Sequence, residues 1–244
     1  MEVHHHAHTA RKKWTHYLWE FIMLFLAVFC GFLAEYQLEH TIEHQREKQY
    51  MQSLLADIRE DTAEIGTSIL TAQKAIGYED SIIFYVYNNP PDNFLPAHFL
   101  DLDLYALARL KVVFNEATAQ QLKNSGNLRL IRHQGLARET VIYWSEQENT
   151  KINLDRYLEY RNRGREFAEK LFAFSDYNLV NAGLIKASDK GVRVIQNNSA
   201  LWSEYSNIIS HCHITATGYL KQLKKLLIEA EKLILMLEKE YHLK

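Results

Sequence analysis

The chain has 244 residues, of which 47% are hydrophobic and 24% charged, and its formal net charge at pH 7 is −2. This composition agrees with an ordinary folded protein, and the length allows one substantial core. Basic residues cluster only at 11–13 and are scattered over 156–165, which argues against nucleic acid as a partner. Cys30 and Cys212 are far apart in the sequence, so we expect no structural disulfide.

The first predicted element is a transmembrane helix. The basic residues 11–13 are followed by Trp14, Tyr17 and Trp19 and then by the uncharged apolar residues 21–34. This order anchors and orients a membrane-spanning helix. Residues 21–34 alone would rise only about 21 Å against a hydrocarbon core of about 30 Å, so the span must begin near Trp14.

A span that begins at Trp14 places Glu20 inside or at the edge of the bilayer. Two interpretations of Glu20 stay open: it lies close to the lipid headgroups, or it faces a partner inside the membrane. Ala27 and Gly31 form a small-xxx-small step, with Ala34 one turn further on. Such residues let another helix approach closely, so we predict that this face packs against a second membrane helix.

A signal peptide or a lipoprotein signal is the alternative for the same segment, because Cys30 follows an apolar stretch. Phe29 occupies the position where a lipidation signal needs a small residue, so an uncleaved anchor is favoured. The basic residues before the span and the acidic residues 35, 39 and 43 after it predict a cytoplasmic N-terminus by the positive-inside rule. The rest of the chain then lies in the periplasm of a bacterial inner membrane.

Beyond the membrane the dominant pattern is helical. Residues 35–49 are almost wholly polar and predict a solvated helical stalk. From Met51 onward, apolar residues at alternating steps of four and three predict one apolar stripe on a long helix. Its members are Leu55, Ile58, Thr62, Ile65, Ile69, Ala72 and Ile76.

Three breaks interrupt the middle of the chain, at residues 88–92, 124–127 and 178–198. The third is predicted to be a loop that holds a short hairpin through 184–186 and 192–195. Between the second and third breaks, spaced apolar residues predict one long helix.

Ser199 is a candidate N-cap for the last helix. That helix carries a second heptad stripe, and Leu226 and Leu233 widen it. The stripe consists of Leu220, Leu223, Leu227, Ala230, Ile234, Leu237 and Tyr241. The predicted fold class is therefore all-α: one N-terminal transmembrane helix that continues into a stalk, and an extracytoplasmic antiparallel helical bundle.

The predicted organisation has four parts. Residues 1–13 form a cytoplasmic tail that is rich in histidine and basic residues, and 14–37 form the transmembrane helix. Residues 38–50 form the polar stalk, and 51–244 form the periplasmic bundle.

Several motifs resemble a family of uncharacterised single-pass membrane proteins that is widespread in Bacteroidetes. They are the opening Met-Glu-Val-His-His-His, the Lys-Lys-Trp-x-x-Tyr-x-x-Glu sequence that ends at Glu20, the Phe-Leu-Ala-Val of 25–28, the Arg-Glu-Lys-x-Tyr of 46–50 and the Ser-Gly-Asn-Leu-Arg-Leu-Ile of 125–131. The resemblance is best over the first 60 residues and recurs around 114–144. It implies one inner-membrane helix with a helical extracytoplasmic domain, and no catalytic residues come with it.

Histidine clusters are the candidate metal sites. His4, His5, His6 and His8 offer imidazole nitrogens that suit zinc, copper or nickel, although a solvated tail is the competing interpretation. His211, Cys212 and His213 are adjacent on a helix and therefore point apart, which favours simple packing. His40 and His44 lie on one face of the stalk beside acidic residues, where three interpretations stay open: they are solvated, they bind a metal, or they titrate near pH 6.5.

No phosphate loop, nucleophile elbow or paired-cysteine metal motif occurs in the sequence. We therefore predict a non-enzymatic protein without a cofactor, which binds the lipid bilayer and forms a homo-oligomer or joins another envelope membrane protein. A ligand-sensing bundle that signals through a partner is the first alternative. A metal-dependent periplasmic enzyme is the second.

Overall fold

The computed structural model describes residues 14–89, 94–96, 98–183 and 192–243. This part of the chain is almost entirely helical, and the predicted all-α class is confirmed. The elements are α1 (Trp14–Asn88), β1 (Phe94–Leu95), α2 (Phe99–Ala106), α3 (Ala117–Asn124), a 3-10 helix (Asn127–Leu130), α4 (Gln134–Leu171), α5 (Phe174–Asn181), β2 (Val192–Arg193) and α6 (Ser199–Tyr241).

The chain divides into two compact units, Met1–Gln49 and Tyr50–Lys244. The described part of the first unit is the N-terminal portion of α1. Its most apolar 18-residue window has a mean hydropathy of 2.1, and no residue of that window is buried. By length and composition, α1 can cross a membrane.

The second unit contains the remainder of α1 together with α4 and α6, and α6 runs antiparallel to α1. Arg59 near the start of this portion of α1 contacts Glu238 at the end of α6, with 2.7 Å between Nη2 and Oε1. Asp80, near the end of α1, lies 3.1 Å from His213 of α6. The two pairs show that the helices are antiparallel, because the residue number rises along α1 from 59 to 80 while that of the contacting residue in α6 falls from 238 to 213.

Helix α6 also runs antiparallel to α4. Lys232 contacts Glu139 at 2.5 Å, and Lys225 contacts Glu146 at 2.7 Å. The predicted antiparallel packing of long helices is therefore present, and the long helix predicted between the second and third breaks is α4.

Each long helix buries a heptad row of side chains, which is the spacing that coiled-coil-like bundles use. In α6 the buried row differs from the predicted stripe: Leu220, Leu227 and Ile234 are only half-buried, whereas Leu226 and Leu233 lie at the centre of the core. The buried row consists of Trp202, Tyr205, Ile209, Cys212, Ala216, Tyr219, Leu223, Leu226, Ala230, Leu233 and Leu237.

In α1 the buried row includes polar residues. The predicted members Thr62, Ile69 and Ile76 are half-buried at its edge. The row itself consists of Met51, Leu54, Ile58, Asp61, Ile65, Ser68, Ala72, Ala75, Glu79 and Ile82. Three polar side chains therefore face the core of the bundle, where an unpaired polar group is costly.

Residues 107–116, which we call the linking segment, connect α2 and α3 without helix or strand structure. Leu107 and Leu110 are fully buried there. The Ser68 hydroxyl and the Tyr219 hydroxyl both donate to the carbonyl of Lys111, at 2.8 and 3.3 Å. Side chains of the long helices thus satisfy backbone groups that have no secondary-structure partner. The sequence analysis predicted no such segment.

The structure confirms the first two breaks and changes the third. Helix α1 ends at Asn88, and α3 ends at Asn124, after which Gly126 adopts a left-handed φ of 66°. Helix α5 continues to Asn181, inside the stretch predicted as loop.

The strand Val192–Arg193 pairs antiparallel with Phe94–Leu95. The other half of the predicted hairpin, 184–186, lies outside the described residues. The N-cap of α6 is Asn198 instead of Ser199, since the Asn198 side chain accepts a hydrogen bond from the Ala200 N–H at 2.8 Å.

Candidate functional site

The predicted membrane-helix packing residues lie on one face of α1. At 100° per residue, Glu20, Ala27, Gly31 and Ala34 project within about 60° of one another. His16 lies on the same face and contacts Glu20 at 3.0 Å between Nε2 and Oε1. This face therefore combines small residues with one polar pair.

The nearly opposite face of the same helix carries an aromatic ladder. The rings of Phe21 and Phe25 stack with centroids 6.4 Å apart, and those of Phe25 and Phe29 stack at 5.8 Å. A Cβ added to Gly31 would meet no atom within 4 Å, so the small face is open. The helix thus offers a bulky apolar side and a side that allows close approach.

Those histidine candidates that the structure describes do not converge on a metal site. His211 stacks on Tyr160 with centroids 4.9 Å apart, His213 contacts Asp80, and Cys212 is buried. His44 lies 3.4 Å from a carboxyl oxygen of Glu47.

Within the described residues, no group of three or more His, Cys, Asp or Glu side chains could hold a metal ion. The predicted ligands His4, His5, His6 and His8 lie outside the described residues.

Asp61 is the centre of a buried hydrogen-bond network in the bundle. Its Oδ2 accepts hydrogen bonds from the Tyr143 hydroxyl at 2.7 Å and from Gln147 Nε2 at 2.9 Å. Its Oδ1 accepts the backbone N–H of Asn115 at 2.8 Å. Burial raises the pKa of Asp61, while the bonds from Asn115 and Tyr143 counteract that rise. The network fastens the linking segment to α1 and α4.

Glu79 is buried differently, because neither of its carboxyl oxygens has a hydrogen-bond partner among the described residues. The side chain is fully buried. Desolvation, assisted by the charge of neighbouring Asp80, raises the pKa of Glu79 to about 9. Glu79 is therefore protonated at neutral pH.

Asp103 of α2 is the second fully buried carboxyl group in this part of the bundle. The Tyr205 hydroxyl donates to its Oδ1 at 2.5 Å, while its Oδ2 has no partner among the described residues. Desolvation raises the pKa of Asp103 to about 6, and the Tyr205 hydrogen bond and the Arg165 charge limit that rise. Burial, and to a smaller extent the charges of Glu79 and Asp103, raise the pKa of the Cys212 thiol to about 12.

These buried groups can bind and release protons, which is the chemistry that their geometry supports. The Cys212 thiol stays protonated at neutral pH, so it is a poor nucleophile. A cleft of about 430 Å³ is open to solvent and is lined by Glu60, Asp61, Glu64, Val113, Phe114 and Asn115.

Sequence reasoning missed Asp61, Glu79 and Asp103. For the two residues of α1, the usable signal was a polar residue at a heptad core position, between apolar neighbours three and four residues away. Asp103 gave no such signal, because α2 is short and its burial depends on the helices around it.

Comparison with known proteins gave no relatives. No protein-family model matches the chain, and no match was found among curated proteins or solved structures.

Proposed function

We propose that this is a non-enzymatic, single-pass protein of the bacterial inner membrane whose helical bundle oligomerises or serves as an accessory or scaffold subunit of a cell-envelope complex. In this proposal the N-terminal tail is cytoplasmic and the bundle is periplasmic, as the basic residues 11–13 favour. The motif resemblance described above supports membership of the single-pass family to which it points.

The observation that carries this proposal is the two-sided apolar segment of α1. A helix that only anchors a domain needs length and apolar side chains but no particular arrangement of small and large ones, because lipid tails contact every side alike. Here one side carries Gly31 between Ala27 and Ala34, together with the His16–Glu20 pair. Small residues permit close packing of a second helix, and a polar pair in the membrane is less costly against protein than against lipid.

The test of the proposal is the mass of the complex after gentle solubilisation. Native mass spectrometry of the full chain in nanodiscs should give a homo-oligomer, or a defined stoichiometry with another membrane protein. If the protein stays monomeric at the protein-to-lipid ratio of the native membrane and no partner is recovered, the proposal is contradicted.

Gly31→Leu is expected to weaken self-association in the membrane. The added side chain would keep the backbones of two helices apart and remove the close contacts that stabilise such pairs. Analytical ultracentrifugation in detergent should show at least a tenfold weaker association, which corresponds to about 1.4 kcal/mol. Phe29→Leu on the aromatic face is the matched control and should leave the oligomer intact. If Gly31→Leu associates as strongly as wild type, the prediction that this face packs against a second helix is wrong.

Glu20→Gln is expected to change assembly or partner retention more than it changes the stability of the bundle. Glutamine keeps the size of the side chain but removes the charge from the contact with His16. Oligomer size and partner recovery should fall, whereas the Tm of the bundle should stay within about 1 °C, because Glu20 lies in the other compact unit. Glu39→Gln is the control. Equal partner recovery from wild type and Glu20→Gln would contradict this prediction.

A further inference from the structure

The N-terminus of α4 is capped by a histidine. His133 has an extended backbone conformation, and its Nδ1 accepts a hydrogen bond from the backbone N–H of Leu136 at 3.0 Å. The usual capping side chains are those of Ser, Thr, Asp and Asn, which keep an acceptor oxygen at every pH. A neutral imidazole accepts at one nitrogen only, and a protonated imidazole accepts at neither. The cap of α4 therefore depends on the protonation state of His133.

The residue at position 135 leaves room for the capping ring. A Cβ added to Gly135 would lie 3.0 Å from Cε1 and 3.3 Å from Nδ1 of His133. The ring therefore lies directly against the first turn of α4, and a side chain at position 135 would press on it. Glycine is less favourable than alanine within a helix, and the space that the ring needs gives a physical reason for glycine here.

The capping ring also links the start of α4 to the end of α6. Its Nε2 lies 4.0 Å from Oε2 of Glu240, in the last turn of α6. Because Nδ1 accepts from a backbone N–H, the proton of the neutral ring is on Nε2, the nitrogen that contacts Glu240. Leu136, whose N–H is held by the cap, is fully buried in the core. The state of one imidazole thus affects a turn that anchors α4 in the bundle.

Protonation of His133 has two opposite effects. It removes the acceptor of the Leu136 N–H and places a positive charge at a helix N-terminus, where the helix dipole disfavours cations. Arg132, the preceding residue, adds a second positive charge nearby. Glu240 favours the protonated ring, but the side chains of this pair are both 46% exposed, so solvent screens the attraction. The loss of the cap is therefore the larger effect.

We propose that His133 is a pH-responsive cap: the neutral ring keeps the first turn of α4 closed, and protonation in acid releases the backbone of that turn. This regulation goes beyond the proposed function and does not depend on it. The closed turn favours the neutral ring, so the stabilisation by the cap is present at higher pH. It is lost as the pH falls through the range in which histidine side chains titrate. Loss of a typical cap shifts such an equilibrium about fivefold.

Hydrogen–deuterium exchange of the full chain in nanodiscs, resolved at the Leu136 amide, tests the cap. After correction for the intrinsic pH dependence of exchange, opening in wild type should be about fivefold greater at pH 5 than at pH 8. His133→Asn keeps an acceptor that does not titrate, so its opening should be the same at both pH values. His211→Asn, which removes a histidine elsewhere on the bundle, is the matched control and should respond as wild type.

A second measurement reads the ring itself. Nitrogen-15 NMR of the histidine side chains at pH 8, with the His133 signal assigned by its absence in His133→Asn, should show the neutral ring with its proton on Nε2. A proton on Nδ1 would overturn the proposal, because that nitrogen could not then accept from Leu136. The proposal would also be wrong if wild-type opening stayed constant or fell in acid, since the contact with Glu240 would then equal or outweigh the cap. The same pH response in His133→Asn would overturn it as well.

Discussion

Glu79→Gln is expected to stabilise the bundle, by an amount that grows with pH. Glu79 is fully buried, and its pKa rises from 4.5 to about 9 on folding. The folded state therefore binds more protons than the unfolded state between these values, so the wild type loses about 1.4 kcal/mol of stability per pH unit as pH rises. Glutamine resembles the protonated carboxyl group and does not titrate. The advantage of the variant should be about 1 kcal/mol at pH 5 and about 3 kcal/mol at pH 7.

Thermal unfolding of the full chain at pH 5, 6, 7 and 8 measures this difference. For a unit of this size, 1 kcal/mol corresponds to about 2–4 °C, so the Tm of the variant should exceed that of wild type by roughly 6–12 °C at pH 7. Asp80→Asn removes only the second cause of the Glu79 shift and leaves the burial, so its pH-dependent gap should be much smaller than that of Glu79→Gln. A constant difference across the pH series would mean that Glu79 is not protonated in the folded state.

The helical architecture was predictable because it rests on local signals. Long heptad repeats, few glycines and the Asn-Asn-Pro-Pro cluster that begins at Asn88 define where the long helices run. The same signals did not identify correctly which apolar residues of a helix lie at the centre of the core. In α6, Leu220 and Leu226 are equally apolar, so periodicity alone does not show which of the two faces the core.

The linking segment was not predictable from its own residues. Val112 and Val113 favour an extended chain, but a run of this length carries no turn signal and no strand partner in the sequence. Its conformation depends on donors far away in sequence, such as Ser68 and Tyr219. Such contacts exist only after the long helices have packed, which is why sequence patterns miss them.

The buried carboxyl groups were missed for a related physical reason. Polar residues in a helix usually face solvent, so a hydrophobic pattern assigns Asp61 and Glu79 to the surface. Their burial becomes visible only when the heptad row is followed through them, from Ile58 to Ile65 and from Ala75 to Ile82. That Gly31 shares a face of α1 with Ala27 and Ala34 was predictable, because it depends on helix geometry alone.

Asp61→Ala is expected to be the most destabilising substitution of a polar residue in the bundle. It would leave two buried donors, the Tyr143 hydroxyl and the Gln147 amide, and the half-buried backbone N–H of Asn115 without an acceptor. Each unsatisfied donor costs about 1–3 kcal/mol, and the relief of repulsion from Asp57 and Glu60 recovers part of that cost. We expect a net loss of about 3–5 kcal/mol and a Tm lowered by roughly 10 °C.

Two controls separate the network from a general effect of mutation at this helix. Asp61→Asn keeps one acceptor oxygen, and both the Tyr143 hydroxyl and the Gln147 amide can reorient to accept from the new amide, so less than half of the loss should remain. Asp57→Ala removes a half-buried acceptor of the Thr118 N–H and should cost about 1 kcal/mol. If all three variants lost the same stability, Asp61 would contribute only as a helix residue. If Asp61→Ala is instead much less stable than the other two variants, as predicted, the Asp61 carboxylate holds the linking segment to α1 and α4.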